Sequence, residues 1–310
     1  MKKFAIALHG GAGTLLKENM TSSQEKAYKE TLSGALQKGF DILEKKGSAI
    51  NAVQEAVMHM ENSSLFNAGK GSVFSASGTH EMEAAIMEGK KRKAGSVALL
   101  TGIKNPIALA RDVMEKSPHV FMIGQGALDF AQSLGYGLEK PDYFYDELRY
   151  KQWQEIKDSS KFQLDHSATK NSKFGTVGAV ACDGFGNLAA ATSTGGMTNK
   201  ISGRLGDSSV PGAGNYAHNK TCAVSCTGSG EYFLRGVVAY DVACLMEMKN
   251  KRLKEAAEEV IHHRILEIGG DGGLIAVDAQ GNITLPFNTE GMYRAYQTST
   301  GEKLIAIYKD

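Results

Sequence analysis

Three threonines stand beside glycine in settings where a hydroxyl could attack a carbonyl or donate to one. Thr176 follows Gly175 and opens the run Gly175-Thr176-Val177-Gly178-Ala179-Val180-Ala181-Cys182-Asp183. Thr194 closes Ala191-Thr192-Ser193-Thr194 before Gly195-Gly196, and Thr227 heads Thr227-Gly228-Ser229-Gly230. Threonine favours strands and glycine favours turns, so pattern alone also admits three unconnected residues. A second constellation is Gly203-Arg204…Asp207-Ser208, a cation and an anion close together in a glycine-rich stretch. A guanidinium fork matches a carboxylate, and a carboxylate matches an ammonium, so the pair could grip both ends of an amino acid. The plain alternative is a solvated ion pair.

Other templates fail. There is no G-x-S-x-G elbow, no phosphate-binding Walker loop and no H-E-x-x-H. Gly184–Ala189 and Gly212–Ala217 both spell G-x-G-x-x-A. Neither has the strand-loop-helix context that a dinucleotide site needs. His9-Gly10-Gly11-Ala12-Gly13 reads either as a turn after a strand or as one wall of an active site.

These residues need elements to hold them. Phe4–Leu8 reads as a buried strand, too short for a signal peptide. Helical periodicity covers Ser22–Glu44, with Ser22 and Ser23 as N-caps, and resumes over Ala49–Met60 after Gly47 and Ser48. Short strands are predicted at Ser72–Phe74, Glu81–Met87, Gly95–Leu100 and Val120–Ile123, and helices at Pro106–Met114 and Gly126–Leu134. From Asp158 to Phe174 the chain is polar and aperiodic, as an interdomain linker would be. The chain beyond Phe174 does not read as a fresh domain. Gly175–Asp183 and Leu188–Thr192 make a hairpin of small residues suited to a buried sheet. A strand at Cys222–Cys226 precedes helices at Glu231–Met248 and Leu253–Glu267, and strands near Leu274–Val277, Ile283–Pro286 and Lys303–Tyr308 close the chain.

Composition narrows the class. Thirty-five basic against 34 acidic residues give a net charge of +1, which argues against nucleic acid as partner. No stretch approaches the apolar length of a membrane span. Cys182, Cys222, Cys226 and Cys244 lack C-x-x-C or Cys-His zinc spacing, which points to a reduced, cytoplasmic setting. Glycine reaches 36 residues while proline stops at 5, a balance that favours tight turns and close backbone approach over linkers.

The order of several long motifs resembles the plant-type L-asparaginase and isoaspartyl peptidase family of N-terminal nucleophile hydrolases, most closely its bacterial β-aspartyl peptidases. The likeness runs through His9–Gly13, Phe66-Asn67-Ala68-Gly69, Asn105-Pro106 and Met114–His119. It is densest in Gly175–Asp183 and Ala191–Asn199, and continues in Gly203–Ser208, Ser225–Glu231 and Pro286–Arg294. The resemblance implies a single α/β domain, residues 1–310, built as an αββα sandwich. It implies self-cleavage between Gly175 and Thr176, giving an α subunit 1–175, whose linker 158–174 is mobile once cut, and a β subunit 176–310. It implies assembly as (αβ)2.

The same resemblance assigns roles. Thr176 is the nucleophile, and its freed α-amine, with an ordinary pKa of about 7.7, is the base. Thr194 would hydrogen-bond and tune Thr176, and Asn67 would support the site. The Thr227 hydroxyl and Gly228 N–H would form the oxyanion hole, Arg204 would hold the substrate α-carboxylate, and Asp207 with the Gly230 carbonyl its α-ammonium. The implied substrates are L-asparagine and β-aspartyl dipeptides, with no organic cofactor. A structural sodium ion is implied on main-chain carbonyls of Met60, Glu61, Ser63, Phe66, Ala68 and Lys70. Three residues depart from the family pattern: Glu83 and Glu88 stand for aspartate, and Ser209 for proline. The alternatives are a glycosylasparaginase, an uncleaved amino-acid-binding protein on the same fold, and a taspase-like endopeptidase.

Overall fold

A computed structural model describes residues 3–158 and 175–309; residues 159–174, most of the polar segment, lie outside the described residues. In chain order the elements are β1 (Ala5–Gly13), α1 (Ser22–Glu44), α2 (Ala49–Glu61), β2 (Met82–Glu88), β3 (Ala94–Leu100) and α3 (Pro106–Lys116). Then come β4 (Phe121–Ile123), α4 (Gly124–Ser133), α5 (Pro141–Phe144), α6 (Glu147–Ile156), β5 (Val177–Cys182), β6 (Leu188–Thr194), β7 (Asn215–Ala217) and β8 (Cys222–Gly228). The chain ends with α7 (Gly230–Gly236), α8 (Val238–Lys249), α9 (Leu253–Glu259), α10 (Ile265–Glu267), β9 (Gly272–Asp278), β10 (Ile283–Thr284), β11 (Gly291–Thr298) and β12 (Lys303–Tyr308).

Side-chain alternation explains the layers. Along β5, Val177, Ala179 and Ala181 face a core shared with α1, α2 and α3, while Val180 and Cys182 face a second core. β1 divides the same way, with Ile6 and Leu8 on one side and Ala5 and Ala7 on the other. A strand buried on both faces needs a layer on each. The larger sheet has eight strands in the order β12-β11-β1-β5-β6-β2-β3-β4, and the smaller has four, β10-β9-β8-β7. The second core runs between the sheets and out to α8 and α9. The result is an αββα sandwich. Strands from before and after residues 159–174 share the large sheet, with β5 seated between β1 and β6.

Several elements differ from expectation. α1 is capped by Thr21 rather than by Ser22 or Ser23: Thr21 and Gln24 form a reciprocal capping box. Ser72–Phe74 is not a strand; Val73 N–H donates to Asn67 Oδ1 and the Phe74 carbonyl accepts from Asn199 N–H, so side chains and a loop replace a ladder. Glu231–Met248 is two helices, broken where Val237 adopts φ 47°. Leu253–Glu267 is one helical stretch with a π-turn at Val260–Arg264. Four elements, α5, α6, β7 and β11, have no clear period in the sequence and are found only in the structure. α6 is held by its Asp146 cap and by Trp153 stacked on Phe74 at 5.6 Å. β11 alternates residues with polar tips, yet it pairs with β1 along its whole length.

Candidate active site

The threonines come together because of strand register. Val177 pairs with Ser193, so Thr176 and Thr194 lie one step further along β5 and β6, and Glu83 of β2 pairs with Thr194 from the other side. Thr227 and Gly228 end β8 of the smaller sheet. The Thr227 hydroxyl accepts from Ala12 N–H at 3.3 Å, and a Cβ built on Gly175 would come within 2.8 Å of Thr227 Oγ1. Gly11 has φ 114°, and a Cβ there would lie 2.5 Å from Gly175 N. The Gly10–Ala12 backbone is thus a wall against the Gly175–Thr176 junction.

Thr176 is buried, and its Oγ1 lies 3.2 Å from Ser208 Oγ. Thr194 Oγ1 accepts from Gly196 N–H at 3.0 Å and closes the Gly195-Gly196 turn, a contact that engages its lone pair and not its proton. Asn67 braces the same turn. Its amide donates to Gly196 O at 2.7 Å, and its main-chain carbonyl accepts from Gly195 N–H.

The Thr176 carbonyl is fixed from behind. His9 is fully buried, and desolvation pushes its pKa down to about 3, so the ring is neutral. Its Nδ1 lies 2.9 Å from Thr176 O, which can only accept, so the proton is on Nδ1. Nε2 must then accept from Ser225 Oγ at 2.8 Å. Ser225 in turn accepts from Thr192 Oγ1 at 2.7 Å, and Thr192 accepts from Asn215 Nδ2 at 3.0 Å. Thr192 Oγ1 also lies 3.3 Å from Gly214 O, a second acceptor for its proton. Gly178 makes the arrangement sterically feasible: a Cβ there would lie 2.0 Å from Ser225 Oγ and 2.3 Å from His9 Nε2.

The charged pair converges near the threonine. Arg204 Nε and Nη2 both donate to Glu231 Oε1, at 2.9 and 2.8 Å. A Cβ on Gly230 would lie 2.9 Å from Arg204 Nη2 and 3.1 Å from Asp207 Oδ1, so Arg204, Asp207 and Gly230 share one small space. Asp207 is buried, and its Oδ2 has no hydrogen-bond partner among the described residues. Burial, reinforced by the charge of Glu83, pushes its pKa up to about 8. A buried acceptor with nothing to accept is costly unless a ligand supplies the donor.

Two of the departing residues meet. Glu83 Oε2 accepts from Ser209 Oγ at 2.7 Å, and its Oε1 accepts from Gly206 N–H at 3.1 Å. Glu88, the third, instead accepts from the N–H groups of Lys90 and Lys91 in the turn after β2. Among the stretch read as a cation loop, the Glu61 side chain is already engaged. It accepts from Ser193 Oγ, Asn105 Nδ2 and Ile107 N–H, and burial raises its pKa to about 7.

Sequence reading took His9–Gly13 as a turn or an active-site wall and did not anticipate the side-chain contacts of His9, Ser225, Ser208 and Glu231. Ser208 had a local signal, lying next to Asp207. The His9 and Ser225 side chains had none, because 216 positions separate them in the chain.

A sandwich of this kind, with a buried threonine at a strand head and an amino-acid-sized charge clamp beside it, is the framework of an amide-cleaving hydrolase. The chain belongs to the asparaginase family, whose profile matches residues 2–307. It is 49% identical over 313 aligned positions to the isoaspartyl peptidase of Salmonella typhimurium, covering 100% of both chains. It is also 49% identical to the isoaspartyl peptidase of Escherichia coli, covering 100% of this chain and 98% of that one. The isoaspartyl peptidase/L-asparaginase of Xenopus laevis is 40% identical, with 94% of this chain and 91% of that one covered.

Proposed function

We propose that this chain is a threonine-type amidohydrolase that releases L-aspartate from β-aspartyl dipeptides and from L-asparagine. The observation that carries the reading is Asp207, a buried carboxyl with an unpartnered oxygen, set beside Arg204 and linked through neighbouring Ser208 to the Thr176 hydroxyl. The relatives named above support the same substrates.

In the uncut chain the Thr176 nitrogen is the amide of the Gly175–Thr176 peptide bond. Cleavage of that bond would free an amine on the nucleophile itself, with an ordinary pKa near 7.7, suited to a general base at neutral pH. In turnover, Thr176 Oγ adds to the substrate β-carbonyl carbon as its proton passes to the amine. The oxyanion lies within reach of the Thr227 hydroxyl and Gly228 N–H, each such donor contributing about 3 kcal/mol. The amine proton then goes to the leaving ammonia or amino acid, and an aspartyl ester remains on Thr176. Water attacks the ester, and aspartate leaves.

The cation loop fits a hard monovalent ion in its donor chemistry. Glu61's carboxylate is committed elsewhere, so main-chain oxygens of Met60, Glu61, Ser63, Phe66, Ala68 and Lys70 would hold the ion. Such an ion would supply a fixed charge that stiffens the loop carrying Asn67. By family likeness the cleaved αβ units would pair as (αβ)2. Cys182, Cys222, Cys226 and Cys244, none of them in a disulfide, suit a reducing, cytoplasmic setting; among the described residues no helix is long and apolar enough to cross a membrane.

The test is Thr176→Ala beside the unaltered protein, followed by denaturing gel and intact mass. The unaltered chain should separate into fragments 1–175 and 176–310, while the variant stays whole, folded and inactive. Appreciable hydrolysis by the variant would refute the mechanism.

A further inference from the structure

Glu83 lies on β2, buried, opposite Thr194 in the register row that Thr176 extends, two strands from β5. Its carboxylate holds both ends of a four-residue turn: Gly206 N–H at 3.1 Å and the Ser209 hydroxyl at 2.7 Å. Between those ends are Asp207, with its free oxygen, and Ser208, which touches the Thr176 hydroxyl. Besides Glu83, the turn is held by Asp207's own main-chain carbonyl, which accepts from Val210 and Gly214 N–H. The side chain of Ser209 is fully buried, so its hydroxyl has no water to turn to. A residue one methylene shorter than Glu83 would leave the Ser209 hydroxyl beyond hydrogen-bond range, and a residue at 209 without a hydroxyl would leave Glu83 one donor short. Glu83 and Ser209 therefore complement each other.

We propose that Glu83 and Ser209 form a latch that aims the Asp207 carboxyl at the substrate α-ammonium, which makes them positioning residues for specificity rather than catalytic ones. The inference rests on the reading of Asp207 as the ammonium receptor. Neither latch residue touches the substrate in this arrangement; both act through where they hold Asp207. A turn released at one end lets the buried carboxyl shift, and a charge-assisted hydrogen bond falls off steeply with geometry. The loss should fall on ligands that carry the ammonium and spare those that lack it.

The experiment compares kcat/KM for L-asparagine and for succinamic acid, which has the same amide and carboxylate but no α-amine. The proteins are the unaltered chain, Glu83→Asp, Ser209→Ala and the double variant. The unaltered enzyme should strongly prefer L-asparagine. Each single variant should cut that preference about tenfold, the order of one weakened ionic hydrogen bond. The double variant should be no worse than the worse single one, because both break the same contact. Equal losses on both substrates, or multiplying losses in the double variant, would overturn the latch. Failure of the unaltered enzyme to prefer L-asparagine would overturn the role of Asp207 itself. Ser209→Ala removes a single oxygen, so it answers the question even if Glu83→Asp does not fold.

Discussion

Asp207 offers a measurement in which structure dictates sign and size. Its carboxyl, ordinarily near 3.8, is pushed up to about 8 by burial and by Glu83. At pH 7 the empty site therefore holds the proton in about 0.9 of molecules, from the one-unit gap between pH and pKa. An ammonium ligand needs the carboxylate, so binding L-aspartate should expel nearly that whole proton. Affinity should then rise about tenfold per pH unit up to pH 8 and level off above it. A cut before Thr176 would free an amine whose ordinary pKa is also near neutral, so a rate profile alone would mix the two. Titration calorimetry of L-aspartate binding at pH 7, in two buffers of different ionisation enthalpy, counts protons directly. Repeating it with Asp207→Asn isolates the group: proton release should collapse, and affinity should fall by at least about tenfold through loss of a charged acceptor. Undiminished proton release in Asp207→Asn, or affinity within about threefold of the unaltered protein, would refute the reasoning.

The remaining expectations are narrower. His9→Asn should lower stability at neutral pH, but the gap to the unaltered protein should shrink in acid. The folded His9 pKa is depressed from 6.5 to about 3, so its contribution is present above pH 6.5 and lost as pH falls, by about 3 kcal/mol at pH 4; a constant gap in denaturant melts from pH 7 to 4 would contradict this. Gly178→Ala should cost at least about 2 kcal/mol by overpacking, because its Cβ meets Ser225 and His9, both buried; an unchanged melting temperature would show that the relay can move aside. Arg204→Lys loses the planar fork and should raise KM about tenfold while self-cleavage proceeds; abolished cleavage would make Arg204 structural.

How much was legible depended on where each residue's partner lay in the chain. α1 was readable over its full span because its apolar stripe repeats locally, and β12 because its run is short and bounded. The reactive threonines were locatable by their glycine neighbours and by motif order. The His9–Ser225–Thr192 relay was not, since it is made only when two sheets stack. Glu83 and Ser209 stand out separately as departures, and nothing in the sequence says that 126 positions apart they share a hydrogen bond. α6 and β11 escaped because their partners, Phe74 and β1, supply the order that their own periodicity lacks.

The seating of β5 bears on the proposed cut before Thr176. An N-terminal residue is ordinarily the least ordered part of a protein. A terminus made at Thr176 would instead lie one residue before β5, whose ladder with β6 starts at Val177 and with β1 at Gly178. The order of events is thereby forced. Among the described residues, β1 has β11 and β5 as its only sheet neighbours, and both come from the second piece. A fragment ending at Gly175 would carry β1 without either strand that pairs with it, and the second fragment would lack the strand that joins β11 to β5. The two pieces would be halves of one weave and not separable parts, so the proposed cut would free Thr176 only inside a sheet that has finished folding.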